Sequence, residues 1–101
     1  ALMSPRPKKK RNCNCPHRLP GSTIFKPAGI PTKDLKKIVL ELDELEAMRL
    51  CDGEGLSQEA AGSLMSVSRG TVQRLVTSGR KKTVDAIVNC HALVINIEDQ
   101  D

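Results

Sequence analysis

Arg69, Thr71, Gln73 and Arg74 fall within six consecutive residues. These side-chain types hydrogen-bond base edges: arginine pairs bidentately with guanine, glutamine with adenine, and threonine is less selective. Val72, Leu75 and Val76 recur among them at helical spacing, so one helix can bury the apolar set and turn the polar set outward. Arg80, Lys81 and Lys82 follow on the same predicted helix and carry charge suited to phosphates. Gly70 and Ser78 belong to the same candidate contact set. The charge is also segregated. Glu41, Asp43, Glu44, Glu46, Asp52, Glu54 and Glu59 stand against Arg49 alone, whereas Gly62 to Thr83 carries five bases and no acid. A solvated face mixes signs, and a one-sign face is what phosphate contact requires. The alternative is an ordinary helical hairpin on a solvated surface.

A second constellation has metal-ligand chemistry. Cys13, Cys15 and His17 alternate within five residues, so an extended segment presents them on one side. Cys90 and His91 follow the last predicted helix. If the N-terminal loop folds over that helix end, either residue completes a tetrahedral set. Thiolate with imidazole suits zinc, and thiolates suit an iron–sulfur cluster. The alternative is free thiols and an exposed imidazole. Cys51 lies on the inner face of a predicted helix and reads as a small buried apolar residue. The run SPRPKKKR, Ser4 to Arg11, places Lys8, Lys9, Lys10 and Arg11 on an arm. It reads either as a solvated tail or as an arm along phosphates or in a minor groove.

These residues need elements to position them. Leu56 to Val76 reads as two short helices joined by a tight turn, the helix-turn-helix that lays its second helix in the major groove. Ser57 caps the first helix, and Ala60, Ala61 and Leu64 form its inner face. Met65-Ser66-Val67 is the turn, with Val67 as its apolar plug, and Ser68 caps the second helix. The helical pattern continues through Thr83, Val84, Ile87 and Val88. Gly79 interrupts it at about 1 kcal/mol relative to Ala, which leaves either one long helix, with room to bend there, or two helices meeting there. Asp43 and Glu46 have capping-box spacing ahead of a helix over Glu44 to Cys51 that buries Leu45, Ala47, Met48 and Cys51. Gly53 and Gly55 end it. Ile38 to Leu42 and Leu93 to Ile97 read as short strands that pair within the chain or across a dimer. Thr32 caps a short turn containing Leu35. Residues 12–31 read as loop, punctuated by Pro and Gly, with Phe25 as its anchor on the domain.

Hydrophobic residues make up 39% of the 101-residue chain and aromatic ones 1%. The core must therefore come from Leu, Val, Ile and Ala, and it is thin enough that a homodimer is expected to thicken it. Val84, Ile87, Leu93 and Ile95 are the apolar surface such a dimer would use. The net charge of +4 favours a polyanionic partner. No run reaches membrane-span length and no signal-peptide pattern opens the chain, which predicts a cytoplasmic protein with reduced thiols. No nucleophile or acid–base constellation suggests an enzyme. The predicted fold is mainly α: a helix-turn-helix with an extended basic, Cys-bearing N-terminal arm and one or two short β-strands. Residues 1–31 are arm and loop, 32–91 the helix-turn-helix domain, and 92–101 a short strand and acidic tail.

Along the whole chain, PRPKKKR, a Cys-bearing loop, FKPAGIP, LELDELEAMRLCDGEGLSQEAAGSLMSVSRGTVQRLV and VDAIVN-x-x-AL occur in that order. This order resembles the domain of unknown function one-three-four family, small archaeal and bacterial predicted DNA-binding proteins. Their helix-turn-helix is similar to the promoter-reading region-four domain of sigma factors. FKPAGIP and LDELEAMRL are the specific segments; the helix-turn-helix alone is shared with many regulators. The resemblance implies DNA binding and brings no settled biochemical activity. The chain departs from the pattern in three places. Ser66 stands where a turn glycine is usual, so the turn must hold a Cβ in a left-handed conformation or adjust. Gly79 stands in place of a helix former, and Cys90-His91 in place of a Gly-Lys pair. The combined expectation is a sequence-specific transcription regulator acting as a homodimer on double-stranded DNA. The alternatives are a metal- or redox-responsive regulator using the Cys/His loop, and a sigma-like protein-interaction module.

Overall fold

The computed structural model describes residues 23–95. The basic arm, Cys13, Cys15, His17 and the acidic tail lie outside the described residues. A three-stranded sheet packs at one end of a helical unit. Its strands are β1 (Thr23–Phe25), β2 (Lys37–Leu40) and β3 (Ala92–Ile95), in the spatial order β1-β3-β2. The helices are α1 (Leu42–Met48), α2 (Gln58–Met65) and α3 (Arg69–Val88). None of the described helices is long and apolar enough to cross a membrane.

The two expected strands pair within the chain. β3 runs parallel to β2, with Leu40 opposite Ile95 and Ile38 opposite Leu93. A parallel pair needs a long crossover, and all three helices supply it. β1 was not expected; it lies inside the stretch read as loop and pairs antiparallel with β3, Phe25 opposite Leu93. Three residues are too few to show a strand pattern, and the partner that makes them a strand is remote in sequence. Phe25 does not act as a buried anchor, being 54% exposed. The short turn after Pro31 spans Thr32–Asp34, with Pro31 rather than Thr32 as its cap.

α1 begins two residues before the expected capping box. Glu41 is the cap, and its backbone N–H donates to Glu44 Oε1 at 2.9 Å. Asp43 and Glu46 share the same spacing, but Glu46 is claimed by Arg49, whose Nε and Nη2 each donate to one carboxylate oxygen at 3.0 Å. The helix then widens into a π-helical turn over Arg49–Gly53.

α2 is capped as expected, Ser57 Oγ accepting from the Ala60 N–H at 3.0 Å. Its inner face is rotated from the expected one. Leu64 is 46% exposed, while Ala61, Gly62 and Met65 are buried. Ala61 and Met65 are one turn apart and form the inward row, which leaves Leu64 outside it. Gly62 is where the turn crosses the helix: a Cβ there would stand 2.7 Å from the Val67 carbonyl oxygen. Ser66 takes the left-handed conformation, φ 63° and ψ 40°. The Val67 N–H reaches back to the Gly62 carbonyl at 2.9 Å, closing the helix.

α3 is one continuous helix of 20 residues, about 30 Å long. Gly79 does not break it. α1 crosses α3 there, and a Cβ at Gly79 would collide with Met48 Sδ and meet Glu44 Cβ at 3.4 Å. Two core clusters flank this crossing. Ala47, Leu50, Ala61, Met65, Val72 and Val76 form one, and Leu40, Ala86, Leu93 and Ile95 the other.

Candidate nucleic-acid interface

The α2–turn–α3 unit fixes how the first half of α3 is presented. Ser68 Oγ accepts from the Thr71 N–H at 3.1 Å and starts the helix. Val72 and Val76 are buried at 0% and 2% exposure, which turns Arg69, Gln73, Arg74, Thr77 and Lys81 to the surface. Thr77 was not singled out from the sequence. Its signal was position alone: it lies one turn beyond Gln73 and Arg74. Thr71 is half-buried, and its Oγ1 lies 3.1 Å from Ser68 Oγ and 3.2 Å from Arg74 Nη2. The threonine therefore orients the arginine, using one of the five guanidinium donors.

Gly70 has a different signature from Gly62 and Gly79. A Cβ there would meet nothing nearer than Arg74 Nη1 at 3.8 Å, ordinary contact. Its φ is not left-handed either. The fold does not require a glycine at this site, yet one stands in the first turn of α3, where the outer surface is bare backbone.

The remaining basic residues are differently engaged. Arg80 grips Asp52 in the π-helical turn with two bonds, Nη2 to Oδ1 at 2.6 Å and Nε to Oδ2 at 3.1 Å. This pair holds the Asp52 carboxyl below its usual range. Lys82 Nζ donates to Glu44 Oε1 at 2.8 Å, and Ser78 Oγ donates to Glu44 Oε2. Glu44 is only 5% exposed. Burial pushes its pKa up, but bonds from Lys82, Ser78 and the Glu41 backbone outweigh this and hold it below the ordinary value. The segregated charges of the sequence thus meet in part across the α1–α3 crossing. Arg69, Arg74 and Lys81 have no acidic partner among the described residues.

Of the candidate metal ligands, only Cys90 and His91 are described. Cys90 is exposed with φ 57°, and His91 Nε2 lies 4.0 Å from Asp85 Oδ1. No group of three or more metal-binding side chains gathers among the described residues. Cys51 is half-buried against the first core cluster, and burial pushes its thiol pKa up.

The described fold is that of a small, mainly α protein in which three helices pack with a small three-stranded sheet. The family model described as "Protein of unknown function DUF134" matches residues 3–100, and the chain belongs to that family. A UPF0251 protein of Pelotomaculum thermopropionicum is 46% identical over 91 residues, 90% of this chain and 67% of the relative. One from Moorella thermoacetica is 51% identical over 75 residues, 74% of this chain and 50% of the relative. One from Shewanella sediminis is 46% identical over 97 residues, 96% of this chain and 98% of the relative. The match thus spans between half and two thirds of the first two relatives and nearly all of the third. No solved structure matches the chain.

Proposed function

We propose that this protein is a cytoplasmic, sequence-specific DNA-binding regulator of transcription that lays the first half of α3 in the major groove of duplex DNA. The observation that carries the reading is the outward row of Gly70, Gln73, Arg74, Thr77 and Lys81 on that half-helix. It is polar, basic and free of acids, and its glycine is one that packing does not demand. Gln73 and Arg74 have the donor and acceptor geometry to read base edges, with Arg74 steadied by Thr71. Arg69 and Lys81 are placed to meet phosphates, with Lys8 to Arg11 adding charge from the arm. Gly70 lets the DNA backbone or a base approach the helix without a Cβ between them.

The test is selection of bound duplexes from random DNA, followed by binding measurements on the selected site. Arg74→Ala is expected to cost roughly 1–3 kcal/mol of discrimination at one or two base pairs. Gly70→Ala is expected to leave the protein at least as stable, since alanine is the better helix former, while weakening DNA binding at least tenfold. No selected sequence and no duplex binding at low salt would overturn the reading. Full affinity in Gly70→Ala would remove the close approach from it.

A further inference from the structure

We propose that the last two turns of α3 and the groove beside them are the contact surface for a second copy of this chain. The groove is an apolar hollow of about 610 Å³ between β1, α1 and the end of α3. Phe25, Leu40, Leu45, Met48, Ile87 and Leu93 are among its lining residues. Beside it stands a ridge. Val84, Ile87 and Val88 are 57%, 71% and 69% exposed, and their spacing puts them on one helix face. The single aromatic of the chain, Phe25, is spent on the groove rim at 54% exposure.

A small apolar ligand would fill the groove but leave Val84 and Val88 in water. A second copy covers both features, because a two-fold contact requires one patch that is its own complement. The ridge of one copy enters the groove of the other, and the reciprocal contact follows by symmetry. Area agrees with this occupant. Phe25, Val84, Ile87 and Val88 together leave on the order of 450 Å² bare, the size of the largest apolar patch on a typical monomer, which is often functional. Two copies contribute roughly 900 Å² before the groove walls and polar rim are added, close to the ~1,200 Å² where stable interfaces begin. Leu93 and Ile95, 9% and 4% exposed, belong to the chain's own core and line the groove rather than the ridge.

The proposal does not rest on DNA binding, and its test contains no DNA. Sedimentation velocity of the full chain from 5 to 100 µM, concentrations spanning typical dimer affinities, is expected to give twice the 11.0 kDa chain mass. Ile87→Asp and Val88→Lys alter side chains that are already largely in water, so both should keep the wild-type helical circular dichroism. Each is expected to raise the dimer dissociation constant at least tenfold. Leu64→Asp, on the exposed side of α2, should leave it unchanged. A wild-type monomer throughout this range overturns the proposal; the groove is then covered by the chain's own residues outside 23–95 or by another partner. A dimer that survives both α3 changes, or is lost with Leu64→Asp, places the contact elsewhere and overturns it equally.

Discussion

Glu44 is the residue in which the most separate demands meet. Its side chain accepts from the Glu41 backbone, Ser78 and Lys82 while nearly buried between α1 and α3. Those bonds favour the ionised form, so its pKa is lowered on folding. A lowered folded-state pKa contributes stability above the unfolded value and loses it as pH falls through the folded one. Unfolding measured from pH 7 down is therefore expected to show stability that holds to the ordinary carboxylate range and falls below it. Glu44→Gln should cost about 1–3 kcal/mol at pH 7, the scale of a buried hydrogen-bonding group left poorly matched. The gap between variant and wild type should close as pH falls through the lowered folded-state pKa, where the wild-type carboxyl is protonated as well. A constant gap across pH would mean that Glu44 acts by shape and not by charge. At this scale the sequence was a good guide to the serine caps. Ser57 and Ser68 bond within their own turns, so nothing distant competes. It misplaced the α1 cap because two acidic pairs had equal spacing, and Arg49 decided between them by engaging Glu46.

Between elements, the α1–α3 crossing at Gly79 governs the architecture. A glycine inside a helix weakens it, and from the sequence this position left open one long helix, with room to bend, or two helices meeting there; the first holds. α3 runs through it unbroken, and Met48 fills the space that a side chain would take. Gly79→Ala adds helix propensity and removes that space. The overpacking is the larger effect, and the net destabilisation is expected to be about 1–2 kcal/mol by denaturant unfolding. Met48→Ala in the same chain should recover much of the Gly79→Ala loss, so the two changes are non-additive in a double-mutant cycle. Additive effects would mean that Met48 is not what excludes the Cβ. The helices were readable because apolar spacing within each is a local property. β1 was not, since its hydrogen bonds come from β3, and Leu64 was misassigned because the direction of the core is set by α3 and not by α2 itself.

For the whole molecule, the sequence showed a charge division that the fold uses twice. Part of it is internal: Arg80 and Lys82 meet Asp52 and Glu44 across the helix crossing. Part is left outward, at Arg69, Arg74 and Lys81. These two parts look alike in sequence, because pairing across helices depends on a crossing that spacing does not reveal. They should separate in DNA titrations against salt. Lys81→Ala is expected to lower the slope of log affinity against log salt by about 0.9, the value of one phosphate contact. Arg80→Ala should change it by much less, its guanidinium being held by Asp52 in the free protein. Equal slopes for the two variants would remove Lys81 from the phosphate set.

β3 is the middle strand of the sheet and the last described element of the chain. β1 and β2 are not paired with each other, so neither has a sheet partner among the described strands until β3 has been made. Closing β2 onto β3 brings Lys37 beside Ala92 across all three helices, a long loop to order at once. The helical unit draws on contacts nearer in sequence, which form faster. During synthesis the three helices can therefore take shape first, and the sheet arrives as the final act. The hollow between β1 and the end of α3 is consequently built last of all, once residue 95 has been added.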